Sequence, residues 1–538
     1  MSSKTRNRLL IVLLLCSAGL LAKEKAATPQ TNITFSRETT GVSGPLNKDG
    51  YIDYMLVINQ RISVGVTPEN NANVLLWKAI GPLSEGTEVG PDFFKLMGTE
   101  MLPKTGDYFV TLEDFAQEKL KLETNSLAWN RVLNHEWTIT SQVWSAAEYP
   151  EIAEWLKYNE KPLALVTEAS HRPRYYSPMI PLPTRDGELS DTLISAWLPG
   201  AQATRYFARS LSARAMLHLG NGRPEAAWED LMACHRLGRL MAAGPTLVEV
   251  LVGYAIGEIS SDAILTYIDH VKPNARQAAL LARQLDQVLP LPQVADRVDL
   301  CERFSYLDVV QHIACPKDNS ANPLKTILGS PTTINEVILN VLKTGAEERN
   351  MWNVVLKQGN ARYDQYVKAL RIKDPIARLA AVQAFERDRE KHSAYLNSTF
   401  KTLAKIANSG SFSQGVGEVL GDMMEPVMMA GLSGMVKSEL RVLQRQEHLQ
   451  VALALSAYHA DQGNYPEKLL DLKPKYLQDV PLDRFSGKAI LYRRSQQGYL
   501  FYSVAVNGKD DQGHTWQDEP AGDDLSVRMP RRLPGKPH

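Results

Sequence analysis

The chain has 538 residues, and its 60 Lys and Arg residues balance 60 Asp and Glu residues. This length exceeds what one ordinary hydrophobic core supports, so we expect two or three domains. The 44% hydrophobic and 22% charged content is typical of a globular protein, and without a net charge to steer it we expect no nucleic-acid partner.

Residues 1–22 have the pattern of an export signal. Lys4, Arg6 and Arg8 form a basic start, and the uncharged run LLIVLLLCSAGLLA follows. This run is shorter than the roughly 20 residues of a membrane-spanning helix, but it suits the apolar region of a secretory signal. An uncleaved short anchor, which would tether the chain to a membrane, is the alternative. Residues 23–47 are interpreted as a linker, and we expect export to the periplasm or cell envelope.

Helical signals dominate residues 48–415, which we assign to one irregular helical domain. Thr67-Pro68 combines an N-cap residue with proline at the first helical position. The segment ARAMLHLGNGRPEAAWEDLMACHRLGRLM resembles one tetratricopeptide-like hairpin, so a solenoid-like arrangement is an alternative, although no clean 34-residue recurrence is present. Helices are predicted at 110–134, 150–160, 188–219, 224–243, 246–269, 274–288, 293–314, 332–343, 350–371 and 374–407.

The last fifth of the chain has a different pattern. Residues 416–431 contain glycines, methionines and Pro426 and are interpreted as a boundary segment. A long helix is then predicted at 432–462, because apolar residues recur along one side of it. Short strands are predicted at 489–494, 499–506 and 524–529. The fold class is therefore mainly α, with a helical domain followed by a small α+β domain at 432–530 and a tail at 531–538.

The loop NGKDDQGHTWQDEPAGDD, Asn507 to Asp524, concentrates six carboxylates between two predicted strands. Such a cluster is a candidate metal site, a candidate acid/base pair or a solvated polar loop. Calcium takes six to eight hard oxygen ligands in a flexible cage, and a loop of Asp, Asn and backbone carbonyls supplies them. Without a cation, clustered carboxylates repel one another.

The order of motifs in this region carries a resemblance. After the long helix come Gly463-Asn464-Tyr465-Pro466, then Val480-Pro481-Leu482-Asp483, and later Asn507-Gly508. This order resembles the globular part of the major pseudopilins of type II secretion systems, over about 432–530. The whole layout is similar to exported proteins of planctomycete bacteria, a resemblance that implies no activity.

The pseudopilin resemblance implies a calcium site in the loop between the last two strands. It implies that a backbone carbonyl near Val504 and the side chains of Asn507 and Asp524 are ligands. Charge alone adds three nearby candidates, which are Asp510, Asp511 and Asp523. The loop departs from the family because asparagine stands at position 507, where the family typically has aspartate. It is no EF-hand either, since the D-x-[DN]-x-[DN]-G run is missing.

The remaining residues indicate no specific chemistry. The chain has no G-x-S-x-G elbow, no P-loop and no dinucleotide fingerprint. We interpret His448 and His459 as surface or groove residues of the long helix, and Trp137, Trp144 and Trp155 as core anchors rather than a cleft lining.

Three functions stay open at this stage. We expect a non-catalytic envelope protein in which a helical scaffold binds protein partners and the C-terminal module is stabilised by calcium. An accessory component of a type II secretion or pilus-like system is one alternative. A hydrolase with a site assembled from scattered residues of the helical domain is the other.

Overall fold

A computed structural model describes residues 33–531 except 85, 184–188, 191, 197, 315–349 and 430. The described chain is mostly helical and has a small antiparallel sheet of three strands near its C-terminus, which confirms the predicted fold class. The export signal at 1–22 and the helix predicted at 332–343 lie outside the described residues. Within the described part, no helix has both the length and the apolarity that a membrane crossing requires.

The helices follow the predicted order, with several predicted segments divided into shorter helices. The α-helices are α1 (Tyr54–Ile62), α2 (Ala72–Ile80), α3 (Pro91–Leu96), α4 (Leu112–Glu118), α5 (Leu127–Leu133), α6 (Glu136–Ser141), α7 (Pro150–Tyr158), α8 (Glu160–Ser170), α9 (Ala201–Gly220), α10 (Pro224–Ala242), α11 (Leu247–Val271), α12 (Ala275–Asp286), α13 (Val294–Arg297), α14 (Arg303–Ala314), α15 (Met351–Leu370), α16 (Pro375–Ser393), α17 (Thr399–Asn408), α18 (Phe412–Met428) and α19 (Leu432–Gln462).

The strands form two minimal hairpins and one sheet. The hairpins pair β1 (Leu83–Ser84) with β2 (Thr87–Glu88), and β3 (Leu182–Pro183) with β4 (Leu189–Ser190). In the C-terminal sheet the order is β5-β6-β7, all antiparallel, and Tyr502 of the central strand lies opposite Leu491 and Ser526. The sheet strands are β5 (Leu491–Arg494), β6 (Tyr499–Ser503) and β7 (Leu525–Met529).

The chain divides into two compact units, each assembled from separated segments. The first unit takes its described residues from Met1–Ile62, Met179–Trp197 and Gln293–Gly434. The second unit takes its described residues from Ser63–Pro178, Leu198–Pro292 and Met435–His538. The sequence-based division into a helical domain and a pseudopilin-like domain stays a prediction.

Two buried amides join the three segments of the first unit. Gln311 of α14 accepts a hydrogen bond from the backbone N–H of Ile52 at 3.0 Å and donates one to its carbonyl at 3.1 Å. Asn59 of α1 makes the same double contact with Met179, at 2.8 Å for each bond. Each amide satisfies both backbone groups of a residue far away in the chain, so these groups are buried without loss of hydrogen bonding.

The segment interpreted as a boundary forms helix α18, which contains Pro426 near its end. Its glycines lie against other helices of the first unit. A Cβ atom on Gly415 would lie 2.7 Å from the backbone of Ile406 in α17, and one on Gly417 would lie 2.8 Å from the carbonyl of Met351 in α15. A composition that resembles a linker therefore serves close helix packing.

Helices α10 and α11 of the second unit pack closely at two glycines. A Cβ atom on Gly253 would lie 2.6 Å from the carbonyl of Gly238 and 2.5 Å from the backbone nitrogen of Ala242. The N-terminus of α11 has a capping box, in which Thr246 and Glu249 each accept a hydrogen bond from the other's backbone N–H. This box satisfies N–H groups that the first helical turn leaves unpaired.

Helix α19 begins and ends at the predicted residues and places its apolar side in the core of the second unit. Leu449 and Leu453 belong to the same buried cluster as Phe501 of β6. His448 is also buried, and its ring packs edge-on against Phe501 with centroids 5.1 Å apart. Its expected placement at the surface was wrong, because neighbours cover more than one side of α19. His459 is exposed, as expected.

Candidate metal centre

The buried carboxylate of Asp483 holds the start of the acidic loop. It accepts hydrogen bonds from the Ser503 hydroxyl at 2.9 Å and from the N–H groups of Val504 at 3.0 Å and Phe485 at 2.8 Å. Strand β6 ends here, three residues earlier than predicted, since the N–H of Val504 bonds to Asp483 and Ala505 has a φ of 47°. The loop therefore leaves the sheet at a defined point.

The loop reverses direction at Gly513, whose φ is 80°. A Cβ atom at this position would lie 2.9 Å from the Leu500 side chain, so glycine is required both for the left-handed backbone and for space. The N–H of Gly513 then donates to Asp524 Oδ2 at 2.8 Å. This bond holds the first residue before β7 against the middle of the loop.

Three of the predicted metal ligands converge. Asp511, Asp523 and Asp524 each offer a carboxylate oxygen, and these three oxygens lie within 4.8 Å of one another. We call these residues the acidic triad. The backbone N–H of Asp523 donates to Asp511 Oδ2 at 3.0 Å, which ties the two ends of the loop together. The sequence separation of more than ten residues is thus closed by the fold.

The other three predicted ligands have different contacts. Asp510 accepts hydrogen bonds from the Tyr502 hydroxyl and the Gln512 N–H, both at 2.9 Å. Asn507 donates its side-chain amide to Asp511 at 2.8 Å, while its side-chain oxygen accepts the Lys509 N–H at 2.6 Å. Asn507 therefore orients one carboxylate of the acidic triad, and its role as a ligand stays a prediction, as does that of the Val504 carbonyl.

In both Asp523 and Asp524, one carboxylate oxygen accepts a hydrogen bond from a backbone N–H, and the other oxygen is buried without a donor in the described part of the chain. Asp523 Oδ2 accepts the Asn507 N–H at 2.9 Å, and Asp524 Oδ2 accepts the Gly513 N–H. The two Oδ1 atoms are buried and have no hydrogen-bond partner within the described residues. A buried carboxylate oxygen without a donor is unfavourable by several kcal/mol at most sites, so the arrangement favours a bound cation.

The pKa shifts within the acidic triad point the same way. Burial raises the pKa of Asp524 to about 6, and the charges of Asp511, Asp510 and Asp523 act in the same direction against the hydrogen bond from Gly513. The pKa of Asp511 is lowered, first by the backbone N–H of Asp523 and then by the Asn507 amide. A divalent cation would offset the carboxylate repulsion that adds to the effect of burial on the pKa of Asp524.

The donor set fits a hard cation. Carboxylate oxygens are the ligands that calcium and magnesium prefer, whereas zinc sites usually contain cysteine or histidine. Three carboxylates supply fewer than the six to eight oxygens of a calcium site if each binds through one atom, so water or a bound ligand would have to complete the shell. Calcium tolerates such an irregular, partly open shell better than magnesium does, because magnesium demands a near-ideal octahedron.

A cavity of about 570 Å³ lies beside the acidic triad within the second unit. Asp523 and Asp524 form part of its wall, together with other residues of the acidic loop, Arg531 and residues of α6, α11, α19 and β7. Two of its carboxylates are ion-paired, Asp262 with Arg531 at 2.6 Å and Glu258 with Arg441 at 3.5 Å. The acidic-loop pattern indicated the triad, but no sequence signal indicated which helices face it.

Comparison with family models, curated proteins and solved structures finds no match. The geometry of the chain itself must therefore carry any functional conclusion.

Proposed function

We propose that this protein is an exported, non-catalytic scaffold of the cell envelope whose C-terminal module binds calcium at the acidic triad. One observation carries the proposal, namely the convergence of Asp511, Asp523 and Asp524 with two buried, unpartnered carboxylate oxygens. Export rests on the N-terminal segment, and the scaffold role rests on the predominance of helices. The calcium site is the part of the proposal that the described residues support most directly.

The expected effect of calcium is local. Sites with few protein ligands have affinities near the weak, extracellular end of the calcium range, about 0.1 mM. At 1 mM calcium, such a site adds only about 1.4 kcal/mol to the free energy of unfolding. That amount is enough to order the loop from Asn507 to Asp524 and to hold β7 against β6, but the packed core must supply the rest of the stability.

The full chain, freed of metal by chelation, tests the proposal by calorimetry and by thermal unfolding with and without calcium. We expect one binding event per chain and a rise of a few degrees in the unfolding midpoint. Asp523→Asn should lower the calcium affinity by about tenfold or more, because it removes a ligand charge. Magnesium at the same concentration should bind more weakly.

Asp510→Asn is the matched control, since it removes the same charge from the same loop at a residue bonded to Tyr502 instead of the acidic triad. We expect it to change the calcium affinity less than about threefold. A metal-free wild type that shows neither binding heat nor a midpoint shift would refute the site. Equal losses in the two variants would show that only the general charge of the loop matters.

A further inference from the structure

The tryptophans of this chain divide into two groups. Of the eight tryptophans that the structure describes, six are buried and at most 7% exposed, whereas Trp137 is 44% exposed and Trp516 is 75% exposed. Both exposed tryptophans line the cavity beside the acidic triad. Tryptophan is usually buried because its ring carries a large apolar surface. Two exposed rings at one cavity indicate a surface on which a flat ligand face stacks.

An arginine that makes no ion pair in the described part of the chain lies in the same cavity. Within the described residues, Arg445 of α19 makes one long hydrogen bond, 3.4 Å to the carbonyl of Ser526, and no ion pair. Its neighbours Arg441 and Arg531 are paired with Glu258 and Asp262. Burial lowers the pKa of Arg445, while the charges of Asp262 and Glu258 act in the opposite direction. A guanidinium in this position favours a planar anion, because it can bind a carboxylate through two parallel hydrogen bonds.

The overall charge of the cavity limits how much negative charge a ligand can carry. Four arginines and five carboxylates line it, which leaves one excess negative charge, and one calcium ion would change this to one excess positive charge. A polyphosphate would meet repulsion from the acid wall, whereas a ligand with one carboxylate and many hydroxyls would not. The volume lies in the range of ordinary small-ligand sites.

From these observations we infer that the cavity binds an acidic saccharide, with Trp516 and Trp137 against the C–H faces of the sugar rings and Arg445 on a uronate carboxylate. Pyranose rings have one face of C–H groups, which carry partial positive charge and are attracted to the negative face of an indole. The inference rests on the proposed function, because one wall of the cavity contains the proposed calcium site. It adds the class of ligand that the protein binds.

The test uses the full chain in calcium and isothermal titration with tetrasaccharides. The acidic probes contain glucuronate or galacturonate, and the neutral probes are cellotetraose and chitotetraose, each titrated to about 10 mM. We expect an acidic tetrasaccharide to bind at least about tenfold more tightly than the neutral probes. Arg445→Gln should abolish this difference, and Trp516→Ala should weaken binding about tenfold or more.

Arg276→Gln, at an exposed residue of α12 that does not line the cavity, is the control and should bind as the wild type does. Circular dichroism and the unfolding midpoint show whether each variant is folded. Failure of all acidic probes, equal binding of neutral probes, or an unchanged Trp516→Ala variant would overturn the inference.

A separate calcium titration of the same samples separates the two proposals. Calcium binding without saccharide binding overturns the inference and leaves the proposed calcium site in place. If saccharide binding persists in chelator while still depending on Arg445 and Trp516, that result would support saccharide binding in the cavity and would overturn the claim that it requires calcium.

Discussion

Asp524→Asn should stabilise the metal-free protein and abolish its response to calcium. Asp524 is 2% exposed, its Oδ1 atom has no hydrogen-bond partner in the described structure, and its pKa is raised to about 6. Asparagine has nearly the same shape and keeps an oxygen that can accept the Gly513 N–H. Its amide group would face the carboxylates of Asp511 and Asp523 as a donor, so a repulsive contact becomes a favourable one.

The magnitude follows from the pKa shift. Ionising a carboxyl whose pKa is about two units above its ordinary value costs roughly 1.4 kcal/mol per unit, so at most about 3 kcal/mol is released. We expect 1 to 3 kcal/mol at pH 7.5, which corresponds to a rise of the unfolding midpoint by about 2 °C for each kcal/mol in a large unit. In 1 mM calcium the advantage should shrink by about 1.4 kcal/mol, because only the wild type binds the ion.

The pH dependence has a defined sign. Because the folded-state pKa of Asp524 is raised, the folded protein binds this proton more tightly than the unfolded chain does. The ionised Asp524 therefore destabilises the folded protein fully above about pH 6. This destabilisation disappears as the pH falls toward 4, which is close to the pKa of an aspartate in the unfolded chain. The advantage of Asp524→Asn over the wild type should therefore be largest at pH 7.5 and absent near pH 4.

Differential scanning calorimetry of both proteins in chelator, at pH 7.5 and pH 4.5, provides the measurement. Asp518→Asn is the control, since it removes a charge from the same loop but weakens hydrogen bonds to the N–H and hydroxyl of Thr515, at 2.7 and 2.9 Å. It should lower stability by about 1 kcal/mol. A metal-free Asp524→Asn protein less stable than the wild type at pH 7.5 would refute the reasoning.

Three further predictions concern stability. Asp483→Ala removes the acceptor of four hydrogen bonds, two of which come from Ser503 and Val504 at the start of the loop. Urea unfolding should therefore show a loss of about 3 kcal/mol or more in the free energy of unfolding; a loss under about 1 kcal/mol would contradict the anchoring role. Gly253→Ala should lower the free energy of unfolding by more than about 2 kcal/mol, because its Cβ would overlap the backbone of α10. Gly257→Ala is the control and should be neutral or slightly stabilising, since its Cβ would lie 3.5 Å from Val442. Similar effects of the two substitutions would argue against the close approach of α10 and α11. Burial lowers the pKa of His448 to about 3, so the free energy of unfolding should fall as the pH falls below 6.5. His448→Leu should reduce the slope of the free energy of unfolding against pH by up to about 1.4 kcal/mol per pH unit. An unchanged slope would show that His448 is accessible to protons in the folded state.

Long periodic segments were the part of this fold that sequence could predict. The helix Leu432–Gln462 matches its predicted bounds, because its apolar periodicity is regular and Gly463, with a φ of 73°, marks its end. The predicted strand 499–506 was too long, since Asp483 binds the N–H of Val504 from a distant turn. Local patterns contain no information about such an acceptor.

The candidate site was predictable in its chemistry and only partly in its geometry. Charge clustering indicated the loop, and the structure brings Asp511, Asp523 and Asp524 together while Asp510 contacts Tyr502. The distinction depends on where the loop reverses, which neither composition nor spacing specifies. Trp137, which the sequence predicts to be a core anchor, is instead partly exposed at the cavity.

The second unit is completed by a segment that is translated well after its other two segments. Its buried cluster includes side chains of α2, α8–α12, α19 and the C-terminal sheet, so a nascent chain that stops before Met435 lacks one wall of that core. Residues 63–292 are therefore synthesised before their final partners, because the first-unit segment Gln293–Gly434 lies between them in the chain. Because domains fold as units once their parts are present, cotranslational folding of this unit is delayed until residues from Met435 onward have been synthesised.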